Sequence, residues 1–317
     1  MITMTNSIFK AFLECPARAL AEHKGRMTDE PIAPEWIGET TKAMAAGSLV
    51  DAIVTKGFNA SADDKTVRPP DFFQVLASSY DDGMKSATKL CNKSGGWNAD
   101  ARLAIKAAER LLEDDIVQKI LKGAMTQPRI AFEIADGIRW RGDIDILADI
   151  DGEITVIDLK SPGRTDDGWI VSGGGNRRVA WHEAWSYWFQ VCGYRYGLMD
   201  GKNMTLDGYA WKAPVDKPTR AGILFATREE TPEIGYIPIG HYDAVWEMIV
   251  TSRTARGGPS KLEIIKAIVE GEIEAPACGR CAFCKSRSRV ALPTPDSWDI
   301  EPDMPLIDDI FGYQDLI

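Results

Sequence analysis

Apolar side chains in the first third of the chain recur at the three- and four-residue spacing of amphipathic helices. Ile8, Phe12, Leu13 and Leu20 form one such stripe near the N-terminus. The spacing predicts helices over four segments, residues 7–24, 38–57, 71–91 and 101–121.

The pattern changes after residue 128, where apolar and polar residues alternate and Ile and Val become frequent. Alternation with a period of two is typical of β-strands. Asp-Gly pairs at 136–137 and 151–152 interrupt it, and Asp-Gly between apolar runs indicates a hairpin turn. We therefore predict three antiparallel strands, over residues 129–135, 138–149 and 153–160.

The second half of the chain contains both patterns. Residues 161–179 are polar and rich in glycine, which predicts a mobile loop. After this loop we predict a helix, three strands and an interrupted helical segment, over residues 180–199, 206–212, 220–227, 234–238 and 241–271. This order of elements predicts an α/β fold with a mixed central β-sheet flanked by helices.

The composition is that of a soluble globular protein, with 44% hydrophobic and 26% charged residues. No apolar run reaches the length of about eighteen residues that a membrane-spanning helix needs, so we expect no such helix. The N-terminus lacks a basic region followed by a long apolar core, so we expect no secretory signal and a cytoplasmic location. Six cysteines in a cytoplasmic protein are expected to be thiols or metal ligands rather than disulfides.

The net charge of −10 argues against nucleic acid as a ligand until its distribution is considered. The segment from Pro295 to Ile317 contains seven acidic residues and no Lys or Arg. Without these seven acids the net charge would be −3 instead of −10. A local basic groove therefore remains compatible with the composition. We predict one folded domain over residues 1–294, with its core at about 38–240, and an acidic tail over 295–317.

Acidic residues are concentrated in the predicted hairpin sequence GDIDILADIDGEITVIDLKS. The two-residue turn places Asp145 opposite Asp158, and like charges that face each other destabilise a sheet. A divalent cation such as Mg²⁺ or Mn²⁺ between them removes this repulsion, because both ions prefer oxygen ligands. Alternation places Lys160 on the same face as Asp158, where it can orient a water molecule or stabilise phosphate charge. The competing interpretation is a solvated hairpin with a Lys–Asp ion pair.

Two motifs on this hairpin resemble those of the PD-(D/E)xK nuclease superfamily, in particular its phage exonuclease and RecB-like branch, which includes Cas4-type proteins. The sequence from Gly142 to Asp145 resembles the G-x-x-D strand of the superfamily. Asp158-Leu159-Lys160 resembles the (D/E)-x-K strand that follows it.

Two predicted helices carry further motifs of the same superfamily, in the same order along the chain. MAAGSLVDAIV resembles the G-x-x-x-H helix, with Gly47 aligned and Asp51 where a histidine is usual. WFQVCGYRYGL resembles the Q-x-x-x-Y helix, and the four-residue spacing of Gln190 and Tyr194 places both on one helix face. There they can contact the scissile phosphate or a neighbouring base.

The resemblance implies a restriction-endonuclease-like core and a metal-dependent mechanism. Asp145, Asp158, the carbonyl of Leu159 and Asp51 would hold one or two Mg²⁺ ions. Lys160 would position the attacking water.

Cysteines at the end of the predicted domain form the sequence C-x-x-C-x-x-C, with Cys278, Cys281 and Cys284. Three thiolates at this spacing can converge on one metal or cluster, and Cys15, in a Cys-Pro context near the N-terminus, offers a fourth ligand. This split resembles the iron–sulfur nucleases of the superfamily and implies a [4Fe–4S] cluster. Zn²⁺ bound by the same four thiolates is the second interpretation, and free surface thiols are the third.

Further DNA contacts are predicted next to the active site. Arg164, Arg177 and Arg178 on the glycine-rich segment can contact phosphates, although a solvated loop explains them equally well. Trp185 belongs to a tryptophan stripe that fits either the core or stacking on DNA bases.

We therefore interpret the sequence as a metal-dependent DNA exonuclease of phage or prophage recombination type. The resemblance further implies a single-strand annealing protein as partner and a homo-oligomer that encircles DNA. The alternatives are a Cas4-like or RecB-like nuclease of another pathway, and a non-catalytic DNA-binding scaffold that keeps the fold.

Overall fold

The computed structural model describes most of the chain. The described residues are 1–30, 32–35, 41–57, 88–94, 96–165, 169–171, 177–184, 186–211, 219–240, 243–252 and 258–288. The acidic tail and most of the predicted helix over 71–91 lie outside the described residues.

The N-terminal segment forms strand β1 (Ile2–Met4) and two helices, α1 (Asn6–Glu14) and α2 (Pro16–Thr28). The prediction of one helix over 7–24 was wrong, because the backbone is extended at Cys15, where φ is −163°. A residue before proline disfavours helical geometry, and proline itself suits the first turn of a helix. The Cys-Pro pair therefore ends α1 and begins α2.

Among the residues described between α2 and β2, the helices are α3 (Lys42–Lys56), α4 (Ala99–Glu113) and α5 (Asp115–Leu121). The predicted helix over 101–121 is interrupted at Asp114, whose carboxylate accepts hydrogen bonds from two backbone N–H groups at the start of α5. An aspartate in this position caps a new helix.

The alternating segment and the residues before it form five strands, β2 (Met125–Thr126), β3 (Arg129–Ala135), β4 (Ile138–Asp143), β5 (Ile146–Ile150) and β6 (Glu153–Lys160). The prediction of one strand over 138–149 was wrong, because β4 and β5 belong to different sheets. The chain leaves the first ladder where Ile144 N–H donates to the Pro128 carbonyl and Gln127 N–H donates to the Asp145 carbonyl, both at 3.0 Å. Asp145 therefore lies at the junction of the two sheets.

The hairpin of β5 and β6 has the register that its two-residue turn predicts. Asp151 and Gly152 both have positive φ, 53° and 85°, as this tight turn requires. Ile146 pairs with Ile157, and continuing this register by one residue brings Asp145 beside Asp158.

The second half of the chain begins with a short hairpin, β7 (Trp169–Val171) and β8 (Arg177–Val179), so the prediction of a loop over 161–179 was wrong for these residues. The predicted helix over 180–199 is two helices. The remaining elements are α6 (Trp181–Ala184), α7 (Tyr187–Asp200), β9 (Lys202–Leu206), β10 (Tyr209–Ala210), β11 (Thr219–Ala226), β12 (Ile234–Pro238), α8 (Asp243–Thr251), α9 (Lys261–Glu270) and α10 (Ala282–Ser288).

Two five-stranded sheets form the framework, with strand orders β1-β4-β3-β9-β10 and β12-β11-β6-β5-β2. Each is mixed, because β1 pairs with β4 and β6 pairs with β11 in parallel, whereas the other pairs are antiparallel. The predicted α/β fold with a mixed sheet and flanking helices is confirmed, with two sheets instead of one central sheet.

Strand β6 is buried on both faces. Val156 packs in the cluster that contains α7, whereas Ile157 and Leu159 pack in the cluster that contains α3 and α4. Asp158 therefore lies in the interior, between apolar neighbours. Within the part of the chain that the structure describes, no helix is both long and apolar enough to cross a membrane.

Candidate active site

Asp145 is fixed by two hydrogen bonds to its side chain. Its Oδ2 accepts the backbone N–H of Leu159 at 2.8 Å, and its Oδ1 accepts the side-chain amide of Gln127 at 3.3 Å. The first bond joins the start of β5 to the end of β6, so the carboxylate is positioned by the sheet itself.

Asp158 is the most deeply buried carboxylate of this group, with 1% of its surface exposed. Its Oδ1 accepts a hydrogen bond from Lys160 Nζ at 2.6 Å, whereas its Oδ2 is buried and has no hydrogen-bond partner among the described residues. Burial raises the pKa of Asp158 to about 7, with a further contribution from Asp145, although Lys160 opposes the shift. An unpartnered oxygen between negative charges fits a cation.

Asp51, near the middle of α3, lies beside Asp145. Its Oδ1 accepts hydrogen bonds from the Thr55 hydroxyl at 3.2 Å and from the Gln127 amide at 3.0 Å. One amide group therefore bridges Asp51 and Asp145. Burial, and then the charge of Asp145, raise the pKa of Asp51 to about 6. The structure thus places Asp51 near Asp145, through the amide of Gln127 that both carboxylates share.

Lys160 projects over this group from the end of β6. Its Nζ donates to Asp158 Oδ1 and, at 3.2 Å, to the Leu159 carbonyl, and it lies 5.1 Å from the centre of the Tyr187 ring. Although burial alone would lower the pKa of Lys160, the charges of Asp158 and Asp145 raise it. The ammonium is therefore a stable cation beside the carboxylates.

Gln190 and Tyr194 face the sheets from α7. Their side chains are joined by a hydrogen bond of 3.3 Å from Gln190 Nε2 to the Tyr194 hydroxyl. Tyr194 packs directly on Gly142, where the Cβ of any larger residue would lie 2.5 Å from Tyr194 Cε1. The glycine of the G-x-x-D sequence is therefore needed for this close approach.

Three polar residues of the site carried no signal in the sequence. Gln127 bridges two of the carboxylates, as described above. Lys10 on α1 donates to the Ser186 carbonyl at 2.8 Å, and Arg228, just after β11, donates to the Ser161 carbonyl at 2.8 Å. None of the three belongs to a recognisable motif. Each reaches the site only through contacts between distant segments, which the local sequence does not reveal.

The four predicted cysteine ligands converge at a second site. The sulfur atoms of Cys15, Cys278, Cys281 and Cys284 all lie within 4.8 Å of one another. Three of the separations are 3.6 Å between Cys15 and Cys284, 3.8 Å between Cys15 and Cys281, and 3.9 Å between Cys278 and Cys284. Thiolates this close repel each other unless a cation binds them, so the donor set fits a thiophilic metal.

The environments of these thiols differ. Burial raises the pKa of Cys15 to about 12. For Cys278, burial is outweighed by hydrogen bonds from the backbone N–H groups of Cys281 and Arg280, which lower its pKa to about 6. The site joins the α1–α2 break to α10 and the loop before it, more than 260 residues later in the sequence.

Of the four predicted DNA-contact residues, only Arg164 has a described side chain. Arg164 is exposed on the segment after β6. Arg177 and Arg178 lie on β8, but their side chains are not among the described ones, and Trp185 lies outside the described residues. Two other tryptophans of the same stripe belong to the core.

Comparison with known proteins identifies the family. A family model described as a PDDEXK-like domain of unknown function (DUF3799) matches residues 5–287. A crystal structure described as a "Putative exonuclease" from Eubacterium rectale has a TM-score of 0.61 and 19% sequence identity, with 93% of this chain and 90% of that chain covered; such a low identity shows the fold alone. None of the curated proteins matches this chain. The chain therefore belongs to the DUF3799 family of PDDEXK-like domains and, with it, to the PD-(D/E)xK nuclease superfamily.

Proposed function

We propose that the protein is a metal-dependent DNA exonuclease of phage or prophage recombination type, which hydrolyses phosphodiester bonds at DNA ends. The observation that carries this proposal is the buried Asp158, with an unpartnered Oδ2, beside Asp145 and Lys160. The description of the structural neighbour as an exonuclease supports cleavage from ends.

Asp145, Asp158, Asp51 and the carbonyl of Leu159 would hold the divalent cation, Mg²⁺ or Mn²⁺. All four groups offer oxygen donors, which these ions prefer. Burial and mutual repulsion hold the pKa of two of the carboxylates above their ordinary value, so a cation also relieves an electrostatic cost. When bound, such an ion supplies Lewis acidity, which acidifies water and withdraws charge from a phosphate.

The other side chains have separate tasks in this proposal. Lys160 orients the attacking water and stabilises the negative charge that develops on the phosphate, because its ammonium is fixed beside Asp158. Gln190 contacts the substrate, and Tyr194 holds Gln190 in place through the hydrogen bond between them. Gln127 keeps Asp51 and Asp145 at a fixed separation.

The four-cysteine site is proposed to tie the N-terminal helices to the C-terminal segment through a bound metal. Four sulfurs at about 2.3 Å from one tetrahedral ion lie about 3.8 Å from each other. All four sulfurs lie within 4.8 Å of one another and three of the separations are 3.6–3.9 Å, which favours a single ion such as Zn²⁺ over the [4Fe–4S] cluster that the resemblance implies. Metal analysis of anaerobically purified protein decides between them: Zn²⁺ at one equivalent supports the single ion, and iron with sulfide rejects it.

DNA is the partner that this proposal requires. The single-strand annealing protein, the homo-oligomer, the cytoplasmic location and the division into a domain over 1–294 and an acidic tail remain predictions from the sequence.

The test compares end-labelled linear duplex DNA with covalently closed circular DNA in the presence of Mg²⁺. The proposal predicts progressive loss of nucleotides from linear DNA and intact circles. Cleavage of circles would contradict the exonuclease assignment, and activity confined to single strands would favour the RecB-like or Cas4-like alternative. Substrates with and without a 5′ phosphate report the polarity.

A further inference from the structure

Lys10 reaches the catalytic centre from α1, an element that carries none of the recognised motifs. Its Nζ donates a hydrogen bond to the Ser186 carbonyl at 2.8 Å and lies 5.6 Å from the centre of the Phe189 ring. The residue that follows Ser186 is Tyr187, whose ring lies 5.1 Å from Lys160 Nζ. The start of α7 therefore holds two lysine ammonium groups, one from β6 and one from α1.

The position of Lys10 is fixed at both ends of α1. Thr5 caps the N-terminus of the helix, and Cys15, a member of the four-cysteine site, forms its C-terminal cap. Four helical residues lie between Lys10 and Cys15, so at about 1.5 Å per residue the two are about 7.5 Å apart along the helix axis. The chain thus presents this lysine from a short helix that is anchored at each end.

The net charge of the site suggests a role for Lys10. When a divalent cation holds Asp51, Asp145 and Asp158 in their ionised form, these carboxylates supply three negative charges. The cation, Lys160 and Lys10 supply four positive charges, so the loaded group is net positive. A net positive charge at this group attracts an anion such as a phosphate. The Lys10 side chain is intermediate in exposure, whereas Asp158 is buried.

We propose that Lys10 binds a backbone phosphate of the DNA substrate in the active site, as a second phosphate-binding lysine beside Lys160. An ammonium group has three N–H donors and is a compact charge suited to a phosphate oxygen. Burial lowers the pKa of Lys10 to about 8, and Asp158 opposes this shift, so the lysine still carries its charge at neutral pH. This inference rests on the proposed function, because it requires DNA as the substrate.

The test measures the affinity for a short duplex at several salt concentrations, with Ca²⁺ in place of Mg²⁺ to separate binding from cleavage. Each phosphate contact contributes about 0.7–0.9 to the slope of log affinity against log salt. Lys10→Met should therefore weaken binding about tenfold and reduce that slope by about one contact, whereas Lys10→Arg should preserve it. Lys24→Met removes the same charge from an exposed position on α2 and should match the wild type.

The possible outcomes separate this inference from the proposed function. If the wild type cleaves DNA but Lys10→Met keeps the wild-type slope, Lys10 serves only to join α1 to Ser186 and the inference is wrong. If Lys10→Met and Lys10→Gln both lose cooperative thermal unfolding, Lys10 is a folding residue and the inference is equally wrong. A wild type that neither binds nor cleaves DNA overturns the proposed function itself.

Discussion

Replacing Asp51 with asparagine should raise the free energy of unfolding above that of the wild type when divalent cations are absent. When Mg²⁺ is present, the variant should be less stable than the wild type. In the folded chain the pKa of Asp51 is raised from 3.8 to about 6, by burial first and by Asp145 second. Because the folded-state value is the higher one, this group contributes stability below pH 4 that is lost as the pH rises to 6. At about 1.4 kcal/mol per pH unit, and discounted for partial exposure, the loss is about 2–3 kcal/mol.

The assay is urea denaturation in EDTA between pH 4 and pH 8, with the free energy of unfolding of the wild type subtracted from that of Asp51→Asn. The difference should rise by about 2–3 kcal/mol between pH 4 and pH 6 and then stay constant. Asparagine keeps an oxygen acceptor for Gln127 and Thr55, so their hydrogen bonds survive. With Mg²⁺ the order should reverse, because the variant loses one carboxylate ligand and gains less stability from the ion.

Asp143→Asn is the matched control, because this carboxylate is exposed and paired with Arg129 instead of being buried beside other carboxylates. The reasoning is refuted if Asp51→Asn is no more stable than the wild type in EDTA at pH 7. Equal stabilisation of both proteins by Mg²⁺ would separately contradict Asp51 as a ligand.

Three further changes test other parts of the structure. Lys160→Met should abolish DNA cleavage at saturating Mg²⁺ while thermal unfolding stays cooperative, and wild-type initial rates would contradict its role. Gly142→Ala should lower the free energy of unfolding by about 1–3 kcal/mol in urea denaturation, because the new Cβ would lie 2.5 Å from Tyr194 Cε1; unchanged stability would show that Tyr194 moves freely. Cys15→Ala should lower the midpoint of thermal unfolding and release the bound metal, whereas Cys91→Ala, outside the four-cysteine site, should do neither.

Features set by neighbouring residues could be predicted from the sequence. The Asp151-Gly152 turn fixes the register of β5 and β6, because both turn residues adopt positive φ, and the register in turn sets which carboxylates are neighbours. Alternation placed Lys160 on the face of Asp158, and the two side chains are hydrogen-bonded at 2.6 Å. The local sequence, a turn in the first case and alternation in the second, was sufficient to predict both features.

Features set by contacts between distant segments could not be predicted in this way. The break at Ile144 and Asp145 depends on hydrogen bonds to Pro128 and Gln127, which periodicity does not encode. Lys10 enters the site only because α1 packs beside α7, and no spacing rule connects the two helices. The break at Cys15, by contrast, had a local signal in Pro16, which the helical pattern of the flanking residues concealed.

The central claim is that the carboxylates around Asp158 bind a divalent cation that enables DNA cleavage. The most direct measurement is the initial rate of nucleotide release from linear duplex DNA as a function of Mg²⁺ concentration, for the wild type and for Asp145→Asn. We predict a rate that is zero in EDTA and saturates with Mg²⁺ for the wild type, and no cleavage by Asp145→Asn at any concentration. Full cleavage in EDTA, or wild-type rates for Asp145→Asn, would contradict the account.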